Sequence, residues 1–305
     1  MDSLEECRID DGRITTPPWG EWGRSATLGV IAGVAKLLLN VLNTTEVTNH
    51  KTWMRTVTDR QPGVGLFTIS NHTSLFDDPG LFCAMTPWSY FWSEHRHHGM
   101  RWTMCAKEVC FKNELLRQFF QNGKVMPIVR GGGVDQPVMG TVARLVARGD
   151  WVHVFPEGRV MMNGELGPFR WGVGKAVCDA RGAAGGRDPV ILPFYHSNMG
   201  SVLPINTPYL PRFGHTVSVT VGQPLDLSDL TCRCHAPGED VQKVWTDITL
   251  RLHDEMKKLE RVSRPNPFQQ ENPKGKPGAE AMEAEKAAQA KAGGAEGDAR
   301  LAGRA

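Results

Sequence analysis

A histidine and an aspartate stand five residues apart in the segment 71–79, NHTSLFDDP. The apolar run before it, residues 66–69, predicts a buried strand that brings His72 to its carboxyl end, where open α/β sheets place their chemistry. Since a five-residue spacing does not put two side chains on one face of a helix, the chain has to bend between His72 and Asp77. A carboxylate that meets one imidazole nitrogen fixes the tautomer of the ring and leaves the other nitrogen free to act as a base.

The same segment has a simpler interpretation, as the start of a helix. Asp78 and Pro79 are typical of an N-cap residue and of the first helical residue, respectively. The segment would then be a turn in which an aspartate caps a helix and the histidine has no chemical role. The residues of the segment alone leave a catalytic pair and a capped turn both open.

Two more predicted strand ends carry residues that could bind a ligand. Arg130 follows the predicted strand 125–129 and precedes a run of glycines, and Glu157 and Gly158 follow the next predicted strand. A guanidinium group can clamp a phosphate with paired hydrogen bonds, and a glycine lets backbone N–H groups approach an anionic or hydroxylic ligand. Because strands of one parallel sheet share a carboxyl edge, we expect these residues to lie around one pocket with His72. For Arg130 the alternative, which the residues alone favour, is an ordinary surface arginine.

Strands alternate with helices along the body of the chain, which is typical of a mostly parallel sheet flanked by helices. We therefore predict an α/β fold with a single main domain. Helices are predicted at residues 113–121, 136–148, 171–180 and 241–259, and strands at residues 66–69, 125–129, 151–155, 190–194 and 217–221. Gly172 and Gly174 imply that one of these helices packs closely. The sequence lacks a Gly-x-Ser-x-Gly elbow, a phosphate-binding loop and a dinucleotide fingerprint, which argues against a serine hydrolase, a phosphate-loop enzyme and a dehydrogenase.

Residues 26–42 form the longest apolar run, and as a helix they would extend about 25 Å, less than the roughly 30 Å hydrocarbon core of a bilayer. Gly29, Gly33 and Lys36 recur in steps of three and four, so they form one narrow stripe. This pattern predicts a helix that lies in one leaflet of a membrane, with Lys36 reaching the headgroups. The predicted membrane contacts are Trp19, Trp22, Leu28, Ile31, Lys36 and Leu38. A buried helix packed on the domain is the open alternative.

The composition excludes some classes of partner. The net charge of the 305 residues is +2, and the sequence has neither a basic block nor zinc-finger spacing, so binding to nucleic acid is not expected. The seven cysteines are scattered, which predicts mostly reduced thiols in an intracellular protein. Cys232 and Cys234 are too close together for the usual zinc spacing, and the histidines of segment 95–98 predict a solvated loop, so no metal is expected.

The two ends of the chain differ from its body. Residues 1–11 are acidic and resemble neither a secretory signal nor an arginine-rich mitochondrial presequence. The end of the chain is of low complexity and cannot bury enough apolar surface to offset the cost of ordering it, so we predict a disordered tail. The predicted organisation is an N-terminal segment at residues 1–18, a membrane-associated helix at 19–45, a catalytic domain at 46–262 and a disordered tail at 263–305.

Four segments in the same order resemble the sequence motifs of the glycerolipid acyltransferase family. They are the His-x-x-x-x-Asp pattern at residues 72–77, the segment 123–130, the Phe-Pro-Glu-Gly run at 155–158 and the segment 189–193. Within this family the chain is more similar to the phospholipid–lysophospholipid transacylases that remodel cardiolipin. That closer similarity is carried by residues 77–79, 100–103, 169–174 and 210–214. The resemblance covers roughly residues 19–260 and is weakest at 86–99.

The resemblance implies a role for each candidate residue. His72 is the general base and Asp77 the carboxylate that orients it. Arg130 contacts a lipid phosphate, and Glu157 with Gly158 binds substrate. Positions that support the base are Asn71 and Ser74. The resemblance also implies that the reaction uses no cofactor, neither coenzyme A nor a metal.

The implied substrates are membrane phospholipids and lysophospholipids, namely phosphatidylcholine, monolysocardiolipin and cardiolipin. The implied location is the surface of mitochondrial membranes that faces the intermembrane space, with the protein attached to one leaflet. The sequence leaves open whether the chain forms an oligomer. Three other functions also stay open: an acyl-coenzyme A-dependent lysophospholipid or glycerophosphate acyltransferase with the same four motifs, a non-catalytic lipid-binding scaffold, and a lipid esterase in which water replaces the acceptor alcohol.

Overall fold

The computed structural model of the chain describes residues 14–92, 99–207 and 210–263. The acidic start at residues 1–11, the histidines of segment 95–98 and the tail beyond residue 263 lie outside the described residues. All described residues belong to one compact unit. The segment boundaries drawn from the sequence stay predictions.

The described residues form seven strands in two sheets. The strands are β1 (Thr44–Thr48), β2 (Leu66–Ser70), β3 (Thr103–Ala106), β4 (Val125–Ile128), β5 (Trp151–Val154), β6 (Val190–Ser197) and β7 (Thr216–Val221). The larger sheet has the order β1-β7-β6-β2-β5, and its one antiparallel pair among the described strands is β6 with β7. Strands β3 and β4 pair in parallel, and a bridge between Trp102 and Val152 joins them to β5. The predicted mostly parallel α/β sheet is confirmed.

Helices cover both faces of the sheet. They are α1 (Gly20–Lys36), α2 (His50–Val57), α3 (Asp77–Met85), α4 (Trp88–Trp92), α5 (Lys107–Cys110), α6 (Glu114–Asn122), α7 (Pro137–Ala147), α8 (Gly172–Ala183), α9 (Met199–Val202), α10 (Ser228–Thr231) and α11 (Val241–Val262). One hydrophobic cluster lies under α7, α8 and α11, and a second lies under α1, α2 and α3. Because side chains alternate along a strand, Phe67 and Ile69 of β2 face the first cluster and Leu66 faces the second. Burial on both faces explains why β2 is a continuous apolar run.

Helices α8 and α11 approach each other closely at Gly174. A Cβ atom at this position would overlap the carbonyl oxygen of Trp245 and lie 2.8 Å from Oγ1 of Thr249. The close packing predicted from the glycines is confirmed at this position, because only a residue without a side chain fits there.

One side of helix α1 packs against the domain. After Lys36 the helix continues as a π-helical turn from Leu37 to Val41. The inner side is buried against α3 and α4. Its buried apolar side chains are those of Leu28, Ala32, Ala35 and Leu39. The indole of Trp92 lies where a Cβ of Gly29 would be, and Nε1 of Trp88 donates to the carbonyl oxygen of Gly29 at 2.9 Å. The glycine stripe therefore admits indole rings from the domain.

Several membrane contacts predicted for α1 need correction. Leu28 is buried, so its predicted lipid contact is wrong, and Lys36 is half-buried near the thiol of Cys83. Ile31 and Leu38 are half-buried against the second cluster. The physical reason is that α1 is apolar almost all around, so its composition did not distinguish the side that packs on protein. The outward apolar residues are Trp22, Val30, Val34, Leu37 and Val41, and Trp19 is also exposed.

Helix α6, which matches the helix predicted at residues 113–121, turns large apolar side chains outward. Leu115 is 72% exposed and Phe119 is 39% exposed. The polar residues Gln121 and Asn122 are buried instead, and Nε2 of Gln121 donates to the carbonyl oxygen of Thr16 at 3.0 Å. The helix therefore uses hydrogen bonds to hold the segment that leads into α1, and it leaves an apolar surface uncovered.

The prediction of mostly reduced thiols is wrong for four cysteines. Cys105 is bonded to Cys110 and Cys178 to Cys234. The sequence could not indicate these pairs, since the second one joins residues 56 positions apart. The fold brings their Cα atoms to 6.1 and 5.3 Å, which is within the range that a disulfide can bridge.

Candidate active site

His72 and Asp77 meet in the turn that connects β2 to α3. Nδ1 of His72 lies 3.0 Å from Oδ2 of Asp77. The side chain of Asp77 is fully buried and that of His72 is 18% exposed. Because an ionised carboxylate can only accept, Nδ1 carries the proton and Nε2 keeps its lone pair. The structure therefore brings the two residues together in the arrangement that a general base requires.

The turn itself holds the Asp77 carboxylate. The backbone N–H groups of Thr73 and Ser74 donate to the same oxygen, Oδ2, at 2.6 and 2.9 Å. Burial alone would raise the pKa of Asp77, but His196, His72 and the Ser74 N–H outweigh it and hold this pKa below its ordinary value. Asp77 therefore stays ionised next to the imidazole.

The predicted N-cap residue Asp78 has the non-helical backbone angles of an N-cap, but its side chain pairs with Arg101 and does not cap the helix. Helix α3 begins at Asp77, and Asp78 interrupts it with φ −117° and ψ 118°. The Asp78–Pro79 peptide bond is cis. The Asp78 carboxylate forms a buried ion pair with Arg101, whose guanidinium lies 5.5 Å from the ring centre of Phe82. Asp77 thus pairs with His72, whereas Asp78 links helix α3 to Arg101, just before β3.

The strand registers bring His72, Glu157 and His196 to corresponding positions at the ends of three neighbouring strands. Ile69 of β2 lies opposite Val154 of β5, and Ser70 lies opposite Phe194 of β6. Continued past the ends of the strands, these registers put Glu157 and His196 on either side of His72. The ring of Phe155 stacks on the His72 imidazole, with 3.9 Å between ring centroids and 14° between planes.

Glu157 is a buried acid beside this pair. Its residue is 3% exposed, and neither carboxylate oxygen has a hydrogen-bond partner among the described residues. Burial raises the pKa of Glu157 to about 8, and the charge of Asp77 acts in the same direction, whereas the nearby backbone N–H groups of Gly167 and His72 oppose the shift. Glu157 is therefore protonated at neutral pH and can donate a hydrogen bond.

The raised pKa predicts that replacing Glu157 with glutamine stabilises the protein more at pH 8 than at pH 5. An unfolded chain ionises this glutamate above about pH 4.5, whereas the folded chain holds the proton up to about pH 8, so wild-type stability falls as the pH rises through this window. Glutamine does not titrate. We expect the melting temperature of Glu157→Gln relative to wild type to rise by about 5 °C between the two pH values. An equal difference at both pH values would contradict the assignment, and Glu108→Gln, at an exposed position, is the control.

Gly158 shapes the turn after β5. Its φ of +67° lies in the left-handed region, and a Cβ there would be 2.8 Å from Cδ of Arg170. Its own N–H donates to the carbonyl oxygen of Phe155 at 3.0 Å. The glycine therefore accommodates the Arg170 side chain, and its N–H is already used within the turn.

Arg130 is not brought into contact with His72. It follows β4, and β3 lies between β4 and the larger sheet, so two strand spacings separate it from Glu157. Its side chain is 64% exposed and its Nη1 lies 3.3 Å from Oε1 of Glu108. Of the three strand ends predicted to share a pocket, only those of His72 and Glu157 are neighbours. The prediction failed for Arg130 because no pattern in the sequence indicated β3, which lies between β4 and β5.

Asn71 and Ser74 have identifiable structural roles. Nδ2 of Asn71 donates to the carbonyl oxygen of His196 at 2.9 Å, and Oδ1 of Asn71 accepts from the His196 N–H at 2.9 Å. Oγ of Ser74 donates to the carbonyl oxygen of Leu203 at 3.2 Å. Both side chains tie the turn after β2 to the chain around β6.

His196 is the site residue that sequence reasoning missed. It is completely buried, and its Nε2 lies 2.8 Å from the carbonyl oxygen of Asn71 and 3.5 Å from Oδ2 of Asp77. The available signal was a histidine two residues after the end of the predicted strand 190–194. That signal was not enough to place His196 near His72, because nothing in the sequence indicates that this strand pairs with β2.

Comparison with known proteins shows which family the chain is similar to. The family model described as Acyltransferase matches residues 47–197, which include all the strand ends discussed above. Tafazzin from Drosophila melanogaster is 38% identical over 216 residues, which cover 70% of this chain and 55% of that protein. N-acylphosphatidylethanolamine synthase from Arabidopsis thaliana is 32% identical, over 67% of this chain and 70% of that protein. Taffazin from Dictyostelium discoideum is 30% identical, over 64% of this chain and 71% of that protein. The chain thus spans only about half of the length of the Drosophila relative.

Proposed function

Because this chain belongs to the tafazzin group of the acyltransferase family, we propose that it transfers acyl chains directly from phospholipids to lysophospholipids, without coenzyme A, and so converts monolysocardiolipin to cardiolipin. The observation that carries the proposal is the pairing of His72 with a buried carboxylate, which leaves Nε2 of the imidazole free. A scaffold protein that only binds lipid has no use for such a base.

The geometry supports a direct exchange of one ester for another. Nε2 of His72 takes the proton from a free glycerol hydroxyl of the lysophospholipid while that oxygen attacks the ester carbonyl carbon of the donor phospholipid. Asp77 stabilises the imidazolium that forms. The tetrahedral intermediate then expels the glycerol oxygen of the donor, which receives the proton from His72. One ester bond forms and one breaks, so the exchange needs no energy source.

The other candidate residues are assigned to substrate binding. Glu157, protonated at neutral pH and without a partner among the described residues, is suited to donate a hydrogen bond to a lipid oxygen beside His72. Gly158 shapes the turn that carries Glu157. Arg130 is exposed, and its guanidinium can exchange its ion pair with Glu108 for a lipid phosphate.

The outward side of α1 is the surface we assign to the membrane. Gly20–Val41 is long and apolar enough to cross a bilayer, but 44% of its most apolar stretch is buried in the domain, which favours a helix lying along one leaflet. The exposed Leu210 and Phe213 continue the apolar surface, because the N–H of Gly214 donates to the carbonyl oxygen of Leu42 at 2.9 Å. Helix α3, which begins at Asp77, packs directly on α1. The site is thus held next to the lipid-facing surface. The mitochondrial location follows from the family resemblance.

Leu37→Asp tests this surface. Leu37 is 53% exposed on the outward side of α1, and insertion of a leucine side chain into lipid is worth about 1.5–3 kcal/mol. We expect the substitution to weaken binding to vesicles of phosphatidylcholine and cardiolipin by roughly tenfold or more, measured by co-sedimentation. Leu250→Asp is the matched control, because Leu250 is 56% exposed on α11 and should leave binding unchanged. Equal losses in both variants would refute the assignment of this face.

The function is tested with purified protein and vesicles that contain acyl-labelled phosphatidylcholine and monolysocardiolipin, with no coenzyme A. We expect labelled cardiolipin together with lysophosphatidylcholine. Transfer that requires acyl-coenzyme A would instead identify an acyl-coenzyme A-dependent lysophospholipid acyltransferase. Release of free fatty acid would identify an esterase, and absence of turnover in every condition would leave only a lipid-binding role.

The similarity to N-acylphosphatidylethanolamine synthase favours one second candidate, acyl transfer to an amine. The same base could remove a proton from the amino group of phosphatidylethanolamine as the nitrogen attacks an acyl carbonyl. Vesicles that contain labelled phosphatidylcholine and unlabelled phosphatidylethanolamine distinguish the two acceptors. A labelled N-acylated lipid would favour this second function, and label in cardiolipin alone favours the first.

A further inference from the structure

His196 lies behind Asp77, on the side away from solvent. Nε2 of His196 is 2.8 Å from the carbonyl oxygen of Asn71, and a carbonyl oxygen only accepts, so Nε2 carries a proton. Nδ1 of the same ring has no hydrogen-bond partner among the described residues. The same Nε2 lies 3.5 Å from Oδ2 of Asp77, so its N–H bonds Asn71 and lies next to the Asp77 carboxylate.

The Asp77 carboxylate is held asymmetrically. Oδ2 accepts from Thr73, Ser74 and His72, whereas Oδ1 has no partner among the described residues. The His196 N–H approaches this same Oδ2 from the interior. One oxygen atom thus lies between two imidazole rings, and only the ring of His72 reaches solvent.

The His196 ring cannot move away from this position without loss of other bonds. The side chain of Asn71 both donates to and accepts from the backbone of His196, at 2.9 Å each. These bonds join β6 to Asn71, the residue between the end of β2 and His72. Because the ring is completely buried, its pKa is lowered and it stays neutral, although Asp77 opposes this shift.

We infer that His196 is a positioning residue for acyl transfer, whose Nε2–H, bonded to the carbonyl oxygen of Asn71, lies beside the Asp77 carboxylate and keeps it in place against His72. The inference rests on the proposed function. His196 has no access to substrate and acts only through Asp77. It would be the third member of a His72–Asp77–His196 unit.

The other ionisable groups near this unit come from β5 and its neighbours. Glu157 is protonated up to about pH 8, and burial keeps His153 neutral, with Arg101 adding to that effect. Glu157 and His153 are therefore uncharged near neutral pH, and Asp77 supplies the negative charge beside the two rings.

The test compares His196→Phe with His196→Gln in the coenzyme A-free exchange assay. Phenylalanine fills the space without a donor, whereas glutamine can place an amide N–H near the position of Nε2. We expect the phenylalanine variant to lose about 10- to 100-fold in kcat with an unchanged KM, and the glutamine variant to stay within about threefold of wild type.

Equal loss in both variants would overturn the inference and indicate a packing role. If thermal melting shows that the phenylalanine variant is unfolded, His196→Asn replaces it, because its shorter amide cannot reach the Nε2 position and should behave as the loss variant. An inactive wild type would overturn the proposed function as well, whereas an active wild type with equally active variants would overturn this inference alone.

Discussion

Replacing His72 with alanine is expected to lower the rate of acyl transfer by about 10²- to 10⁴-fold, the usual contribution of a positioned general base. The substitution removes the group that takes the proton from the acceptor hydroxyl and returns it to the leaving glycerol oxygen. The imidazole is partly exposed and its hydrogen-bond partner is Asp77, so the fold should persist. Initial rates of label transfer measure the effect.

Thermal melting and vesicle binding of His72→Ala should match the wild type, which separates loss of chemistry from loss of structure. His215→Ala, at a half-buried histidine outside the site, is a control that should keep full activity. Near-normal turnover in His72→Ala would reject the assignment of the base.

Asp77→Asn is expected to lower kcat by about 10²-fold or more while leaving the turn in place. The amide oxygen can still accept from the N–H groups of Thr73 and Ser74. The amide has no charge, however, so it cannot stabilise the imidazolium of His72 in the transition state. Rates and melting temperatures measured on the same preparation separate the two consequences.

The neighbouring aspartate gives a matched control. Asp78→Asn also removes a buried carboxylate, but this one pairs with Arg101 and not with His72. It should lower the melting temperature, because a buried guanidinium loses its counter-charge, and the folded fraction should keep its turnover. If Asp77→Asn retained activity while Asp78→Asn lost it, the roles of the two aspartates would be reversed.

The sequence was sufficient to predict His72 and Asp77 as a pair because the information is local. An apolar strand, a five-residue spacing and a helix that follows restrict the turn to a few conformations. Even here the capping role predicted for the Asp78 side chain was wrong, since Asp78 pairs with Arg101, a partner that lies 23 residues away in the chain. Contacts with residues distant in the sequence therefore decide which of the two adjacent aspartates orients His72 and which one forms an ion pair.

His196 and Arg130 were beyond sequence reasoning for a related reason. His196 joins the site because β6 pairs with β2, and Arg130 lies outside it because β3 intervenes between β4 and β5. Strand order is a property of the whole sheet, and a single sequence contains no direct record of it. The same limit applies to α1, where an almost uniformly apolar helix gave no indication that Leu28 faces protein and Leu37 faces outward.

The central claim is that His72, oriented by Asp77, moves an acyl chain directly from one membrane lipid to another. The most direct measurement follows acyl-labelled phosphatidylcholine in vesicles with monolysocardiolipin, without coenzyme A, for wild type and His72→Ala side by side. The account predicts that wild type forms labelled cardiolipin and lysophosphatidylcholine in equal amounts, without free fatty acid, and that the variant forms neither at a comparable rate. Transfer that begins only when acyl-coenzyme A is added, or transfer that is equal in both proteins, would contradict it.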